Sequence, residues 1–199
     1  MRRDDVEIIE RRPVFQGYFR IDRYRLRHRL HGGGMSGEIV REVFERGHAV
    51  GVLPYDPKRR EVVLIEQFRV GALAACEPPW LTEVVAGIVE PGESPEDVAR
   101  REAREEAGLA VGALRPMVRY LSSPGGASET VTLFLGRVDA EGAGGIHGLD
   151  HETEDIRVMP MAAERAIAMV ADGRIGNAMT VIALQWLALH EGEVRRQWS

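Results

Sequence analysis

The chain has almost no cysteine and almost no lysine. Cys76 is the single cysteine among 199 residues, so no disulfide can close within the chain and no cysteine cluster can hold zinc. The scarcity suits a reducing compartment, and Cys76 reads as packing filler. Lys58 is the only lysine among 26 basic residues, a bias that genome composition produces as readily as heat adaptation. Long apolar runs are missing too. The longest, Ala178 to Leu189, is interrupted by Thr180 and Gln185; it is too short to span a bilayer and predicts a buried helix. The opening MRRDDVEIIERR lacks the apolar core of a secretory signal. The expectation is a soluble, cytoplasmic protein with no membrane partner. A net charge of −5 without a basic run argues against a nucleic-acid groove, although bridging cations would still let such a surface hold an anionic ligand.

What is present suffices for a conventional core. The 44% hydrophobic content is ordinary for a globular protein, and a chain of this length buries a core without disulfides or a structural metal. Val14 to Leu30 reads as β-rich, His31-Gly32-Gly33-Gly34 as a hairpin tip, and Glu38 to Glu45 as a returning strand. Two strands, Val50–Tyr55 and Glu61–Gln67, flank the turn Asp56-Pro57-Lys58-Arg59-Arg60, and Trp80 to Ala86 is a further apolar stretch. Ser94 to Ala107 predicts the clearest helix, with Ser94 at the N-cap, Pro95 at N1, Asp97 completing a capping box and Gly108 as the stop. Strands follow near Met117–Leu121 and Thr130–Val138, then a Gly-rich loop from Glu141 to His151, a strand at Ile156–Met159, and helices near Ala162–Asp172 and Asn177–Gly192. This order predicts a sheet with helices on its faces.

Carboxylates crowd residues 90 to 106: Glu90, Glu93, Glu96, Asp97, Glu102, Glu105 and Glu106. Glu102 and Glu106, four apart on a helix, share a face, where like charges cost roughly 0.2–0.5 kcal/mol per pair. An acidic helical face is ordinarily just solvated. The spacing argues otherwise here: Gly87, five residues, Glu93, seven residues, then Arg101-Glu102-Ala103-Arg104-Glu105-Glu106-Ala107-Gly108-Leu109. Hard oxygen ligands on a rigid helix suit Mg²⁺, which takes one or two carboxylates and shares the rest of its octahedron with water and phosphate. Such ions offset the repulsion, withdraw charge from phosphoryl oxygens and help position a water.

The pattern resembles the Nudix box, Gly-x5-Glu-x7-Arg-Glu-U-x-Glu-Glu-x-Gly-U, where U is bulky or aliphatic; Ala103 is the smallest residue its position accepts. The resemblance implies a hydrolase of nucleoside diphosphate derivatives. It makes Glu102 and Glu106 direct metal ligands, Glu105 a further or alternate one, and the Ala86 carbonyl another. Glu93 and Arg101 become a bracing salt bridge, and Gly87 and Gly108 backbone-permissive positions. It implies an α+β fold, an α/β/α sandwich with a mixed sheet between helices plus a small N-terminal antiparallel sheet.

Outside the box the chain is similar to the bacterial ADP-ribose pyrophosphatases over nearly its full length. The matching stretches are Phe44-Glu45-Arg46-Gly47-His48, Val63 to Arg69, Ser123-Pro124-Gly125-Gly126-Ala127-Ser128-Glu129, Gly144 to Leu149, Glu154-Asp155-Ile156-Arg157-Val158 and Val181 to Leu187, with Pro124 lying 16 residues after Gly108. The resemblance implies residues 1–48 as a β-rich dimerisation region and 49–199 as the hydrolase domain, in a homodimer with exchanged N-terminal sheets. It implies ADP-ribose or a related nucleoside diphosphate sugar as substrate, and two or three Mg²⁺ per site with Mn²⁺ as a substitute. Arg69 would meet the diphosphate or terminal ribose phosphate side. Tyr18, Phe19, Arg41 and Glu42 would line the adenosine pocket, and Ile88, Ser123, Pro124, Gly125 and Glu129 would contact substrate.

By the same resemblance the loop from Glu141 to Asp155 is a lid, with Glu152 as general base and Glu154 as a further metal ligand. The acids crowded there leave Glu152 and Glu154 open as bases, with His151 a third candidate. Two other readings stand beside this one: a Nudix hydrolase of another nucleotide sugar or a dinucleotide, and a Nudix domain that senses ADP-ribose without cutting it.

Overall fold

The computed structural model describes residues 1–149 and 153–198. They form two compact units, one of Met1–His48 with Leu121–Thr130 and one of Ala49–Tyr120 with Val131–Ser199.

The first unit is a three-stranded antiparallel sheet, β1 (Val6–Gln16), β2 (Arg20–His28) and β3 (Ile39–Glu45), in that order. The stretch expected from Val14 to Leu30 divides into the end of β1, a tight turn closed by the Gly17 N–H on the Phe19 carbonyl at 2.9 Å, and β2. Most of β1 escaped the sequence reading because it lacks a clean apolar alternation; every residue but Ile9 is exposed. The hairpin tip does fall at the glycines: Gly33 and Gly34 take φ of +93° and +75°, which glycine adopts without steric cost. The segment 121–130 is fastened to β3 by the Phe44 N–H on the Gly126 carbonyl at 2.8 Å and the Ser128 N–H on the Phe44 carbonyl at 3.2 Å.

The second unit holds β4 (Ala49–Asp56), β5 (Glu61–Phe68), α1 (Val70–Ala74), β6 (Trp80–Glu83), β7 (Val85–Ile88), α2 (Pro95–Ala107), β8 (Leu114–Leu121), β9 (Thr130–Arg137), β10 (Gly145–His147), β11 (Ile156–Ala162), α3 (Ala163–Ala171) and α4 (Ala178–Trp198). Its sheet runs β10-β11-β5-β4-β9-β8, with β6 on β5 and β7 on β4. The β4–β9 pair is parallel and β4–β5 antiparallel, so the sheet is mixed. Strand periodicity divides the core between its two faces. Leu53, Tyr55, Val62, Leu64, Leu133 and Leu135 pack with α3 and α4, whereas Val50, Val52, Val63, Ile65 and Phe134 pack with α2. Both faces are covered, which makes this an α/β/α sandwich and explains why β4 reads as an unbroken buried run. α4 continues past Gly192, where the sequence had suggested an end, because Leu184, Leu187, Val194 and Trp198 prolong one buried stripe at helical spacing. Among the described residues no helix is long and apolar enough to cross a membrane.

One detail positions the site. β4 and β5 pair only at Tyr55↔Val62 and Asp56↔Glu61, then part. β7 takes over the β4 edge from Ala49 to Val52, and β6 takes the β5 edge from Ile65 to Phe68. Val84, between β6 and β7, is buried, and its N–H donates to the Thr180 hydroxyl at 2.9 Å. Asn177 donates to the Thr82 carbonyl at 2.7 Å and accepts from the Thr180 N–H at 3.1 Å. The start of α4 thus holds the fork open.

The closed end of the fork turns on Asp56. One carboxylate oxygen accepts the Lys58 and Arg59 N–H groups at 2.9 and 3.1 Å, and the other accepts the Ala140 N–H at 3.1 Å. Burial pushes its pKa up, but these three amides outweigh burial and hold it below the ordinary carboxylate value. A depressed folded value contributes stability that is present above the unfolded pKa, about 3.9, and lost as pH falls through the folded value. Asp56→Ala is expected to cost about 2–4 kcal/mol in urea unfolding at pH 7. The gap to the parent should narrow as the pH drops below about 4.

Candidate active site

α2 is built to approach the sheet. Ser94 caps it by accepting the Asp97 N–H at 3.2 Å, and Gly108 ends it in the left-handed region at φ +65°. The expected capping box is only half formed: the Asp97 carboxylate takes the Ser94 hydroxyl at 2.6 Å rather than the Ser94 N–H. Val98, Ala99, Ala103 and Ala107 are buried against β4, β5 and β7. Three alanines four residues apart form a low ridge, which lets the helix lie close to the strands.

That approach carries two glutamates inside. Glu106 is 3% exposed, and one of its oxygens accepts the Ala86 N–H at 3.1 Å. Glu102 lies against Gly87, where any side chain would overlap its carboxyl group. Burial pushes the Glu102 carboxyl up to about 7, with Arg101 pulling down and Glu105 and Glu154 pushing up. Burial pushes Glu106 up to about 8, against the Ala86 N–H and Arg69, with Glu102 and Glu154 adding repulsion. Arg101 grips Glu93 through two bonds at 3.0 and 3.2 Å, and Glu93 also accepts the Glu90 N–H at 3.1 Å. The same guanidinium reaches Glu102 at 2.8 Å and Glu105 at 3.1 Å. Glu154 stands at the foot of β11, its carboxylate accepting the Leu149 N–H at 3.2 Å.

This donor set fits a magnesium ion by its chemistry. The buried Glu106 and the half-buried Glu102 repel each other, with Arg69 and Arg101 acting against that repulsion, so a divalent cation would relieve it. Among the described residues no three His, Cys, Asp or Glu side chains form a ready cage; Mg²⁺ usually takes one or two carboxylates and keeps water and phosphate for the rest of its shell.

Arg69 follows β5 and pairs with Glu83 at 2.7 Å, while Ile88 ends β7, 37% exposed. The second unit therefore brings together Ala86, Gly87, Ile88, Glu93, Arg101, Glu102, Glu105, Glu106, Glu154 and Arg69. Glu83 was missed from sequence, since a glutamate on a short strand carries no spacing signal of its own. The expected base Glu152, with His151 and Asp150, lies outside the described residues.

The remaining candidates belong to the first unit. Tyr18 is 89% exposed and meets Phe19 edge-on at 4.7 Å. Phe19 meets Phe44 at 5.1 Å, with the Arg46 guanidinium 5.6 Å above its ring. Arg46 also pairs with the buried Glu129 at 3.2 Å. Glu42 is ion-paired with Arg23 at 2.7 Å, and Arg41 donates to the Val40 carbonyl at 2.7 Å. Ser123, Pro124 and Gly125 form an exposed turn in which the Ser123 carbonyl accepts the Gly126 and Ala127 N–H groups.

Comparison with known proteins agrees with this geometry. The NUDIX domain model matches residues 45–176. The chain is 55% identical over 197 residues to the ADP-ribose pyrophosphatase of Escherichia coli K12, covering 99% of this chain and 94% of that one. It is 43% identical to the ADP-ribose pyrophosphatase of Haemophilus influenzae, covering 98% and 91%. It is 36% identical to a GDP-mannose pyrophosphatase of Enterobacter sp. strain 638, covering 77% and 82%. A solved structure of an ADP compounds hydrolase shares the fold at a TM-score of 0.75 and 20% identity, covering 96% of this chain and 97% of that one. With its box glutamates gathered beneath β7 on α2, the chain belongs to the Nudix family.

Proposed function

We propose that the protein hydrolyses the diphosphate of ADP-ribose, giving AMP and ribose 5-phosphate. The observation that carries this reading is the pair of box glutamates, Glu106 buried and Glu102 half-buried, beside Ala86, in a chain that resembles ADP-ribose pyrophosphatases from end to end. Glu102, Glu106 and the Ala86 carbonyl, with Glu105 and Glu154 as further ligands, would hold two or three Mg²⁺, or Mn²⁺ in their place, and ions held there would supply charge withdrawal from the phosphoryl oxygens. Arg69 faces the diphosphate or terminal phosphate. Glu152 takes a proton from the attacking water, the new P–O bond forms, the anhydride P–O bond breaks, and the two phosphate monoesters leave. Arg101 holds the ligand carboxylates in place from behind while Glu93 anchors it.

Residues 1–48 act as the dimerisation region and 49–199 as the hydrolase domain. The support is the long, two-sided exposure of β1, where Val6, Ile8, Val14 and Phe15 are uncovered. A bare edge strand of that length is normally paired or covered. In the proposed homodimer the exchanged N-terminal strands bring Tyr18, Phe19, Arg41 and Glu42 to the partner's adenosine. Ile88, Ser123, Pro124, Gly125 and Glu129 complete the contacts with substrate.

The likeness to a GDP-mannose pyrophosphatase favours one alternative, the same chemistry on a different nucleotide sugar. Hydrolysis of ADP-ribose, GDP-mannose and a dinucleotide polyphosphate with Mg²⁺, products resolved, separates them. Preferential release of AMP and ribose 5-phosphate is expected, and preference for GDP-mannose would overturn the substrate assignment. Glu152→Gln should lower kcat by at least about 100-fold with KM little changed; undiminished turnover would remove Glu152 as the base. Gly87→Ala, which sets a methyl group into the Glu102 carboxyl, is expected to lower kcat/KM by roughly 10- to 100-fold. Its thermal midpoint should move by only a few degrees, and unchanged kinetics would show that Glu102 need not sit where it does.

A further inference from the structure

The end of β5 contains a buried amide with nothing to hold. Gln67 is 6% exposed, and among the described residues its side-chain Nε2 has no hydrogen-bond partner. More than nine in ten buried polar groups in folded proteins are paired, and an unpaired one carries its full desolvation cost. The residue is therefore expensive to keep unless something outside the chain completes it.

Its position says where that something lies. Alternation along β5 puts Gln67 on the same face as Val63 and Ile65, which pack with Ala103 and Ala107 of α2. The next residue on that side, Arg69, acts electrostatically on Glu106 and pairs with Glu83. Leu81 stands directly opposite Gln67 on β6, one step from the fork that carries Ala86 and Gly87. β11 pairs with β5 at Arg157↔Glu66. Continued by three residues, that register carries Glu154 towards Arg69, in keeping with its repulsion of both Glu102 and Glu106. An N–H donor in this place calls for an acceptor that the described residues do not supply and that is compatible with Arg69 beside it. An anionic phosphoryl oxygen has both properties.

We propose that Gln67 is a substrate-contact residue whose side-chain amide donates a hydrogen bond to a non-bridging oxygen of the diphosphate, next to Arg69. This rests on the reading of the chain as a nucleoside diphosphate hydrolase. It also gives the binding contact a cost in the unliganded protein: the amide waits unpaired and is satisfied when substrate arrives.

The test uses the full-length protein and two shape-matched variants. Gln67→Met keeps the volume and removes the donor; Gln67→Glu keeps the shape and turns a donor into an acceptor that repels phosphate. Thermal midpoints are read without ligand and with Mg²⁺ and ADP, and kcat/KM is read with ADP-ribose. Gln67→Met is expected to melt no lower than the parent without ligand, to lose most of the ADP-induced rise, and to lower kcat/KM about 10- to 100-fold. Gln67→Glu should lose more. A lower unliganded midpoint for Gln67→Met, with kcat/KM within about threefold of the parent, would make Gln67 a packing residue and overturn the proposal. So would parent-like kinetics in Gln67→Glu. If the parent itself leaves ADP-ribose intact, the substrate assignment fails separately, and the ADP-induced shift, kept or lost in the variants, still decides Gln67.

Discussion

Two like-charged carboxylates pressed between a helix and a sheet are the constraint around which the second unit is arranged. Glu102 and Glu106 can lie beneath β7 only if α2 comes close, and the buried alanines at 99, 103 and 107 make that approach possible. The small residue at position 103, on the margin of what the box motif accepts, is here part of the same ridge. Gly87 is the matching concession from the sheet: a side chain there would fill the space of the Glu102 carboxyl. In low dielectric the repulsion between the two acids is strong. The nearby cations are therefore as much a part of the arrangement as the acids. Arg101 ties Glu102 and Glu105 to the Glu93 anchor, and Arg69 acts on Glu106.

The fork in the β4–β5 hairpin supplies the floor. A hairpin paired along its full length would leave no room for Ala86 and Gly87 beside α2. Because β4 and β5 part after two pairs, β6 and β7 slot into the gap and bring the Ala86 N–H within reach of Glu106. The fork is held from the opposite face of the sheet, by Thr180 on Val84 and Asn177 on Thr82. The start of α4 is thus tied to the site without touching its chemistry, through the capping Asn177 and the first-turn Thr180.

Legibility from sequence followed the reach of the interactions. α2 could be read because its signals are local: a capping serine, a proline at N1, a stopping glycine and fixed glutamate spacings within one helix. The runs of β4, β5 and β9 could be read because both faces are buried and the composition says so. β1 was mostly missed because its exposed residues obey no burial pattern. α1 was missed because five residues give too little periodicity. The extent of α4 was misjudged because Gly192 looks like a stop, whereas the apolar stripe through Val194 and Trp198 outweighs the roughly 1 kcal/mol that a helical glycine costs. Partners that meet only through sheet register, such as Arg69 with Glu83, have no local signature at all.

The contrast between the two ends of the β4–β5 hairpin explains how the fold tolerates its site. At the closed end the buried polar side chains find partners. Asp56 is satisfied by three backbone amides, and Glu191 accepts Tyr55 at 2.9 Å and a two-pronged grip from Arg60. At the open end the same strands leave the Gln67 amide unpaired among the described residues and crowd a buried and a half-buried carboxylate. Folding alone would not place unfavourable groups at one end of a hairpin while the other is fully satisfied. Marginal stability means each such group is felt, so the apolar packing on both faces of the sheet must offset them. The pattern is understandable if the open end is completed by a bound ion and an anionic ligand, because the groups that are costly in the free protein are the ones such a ligand would satisfy.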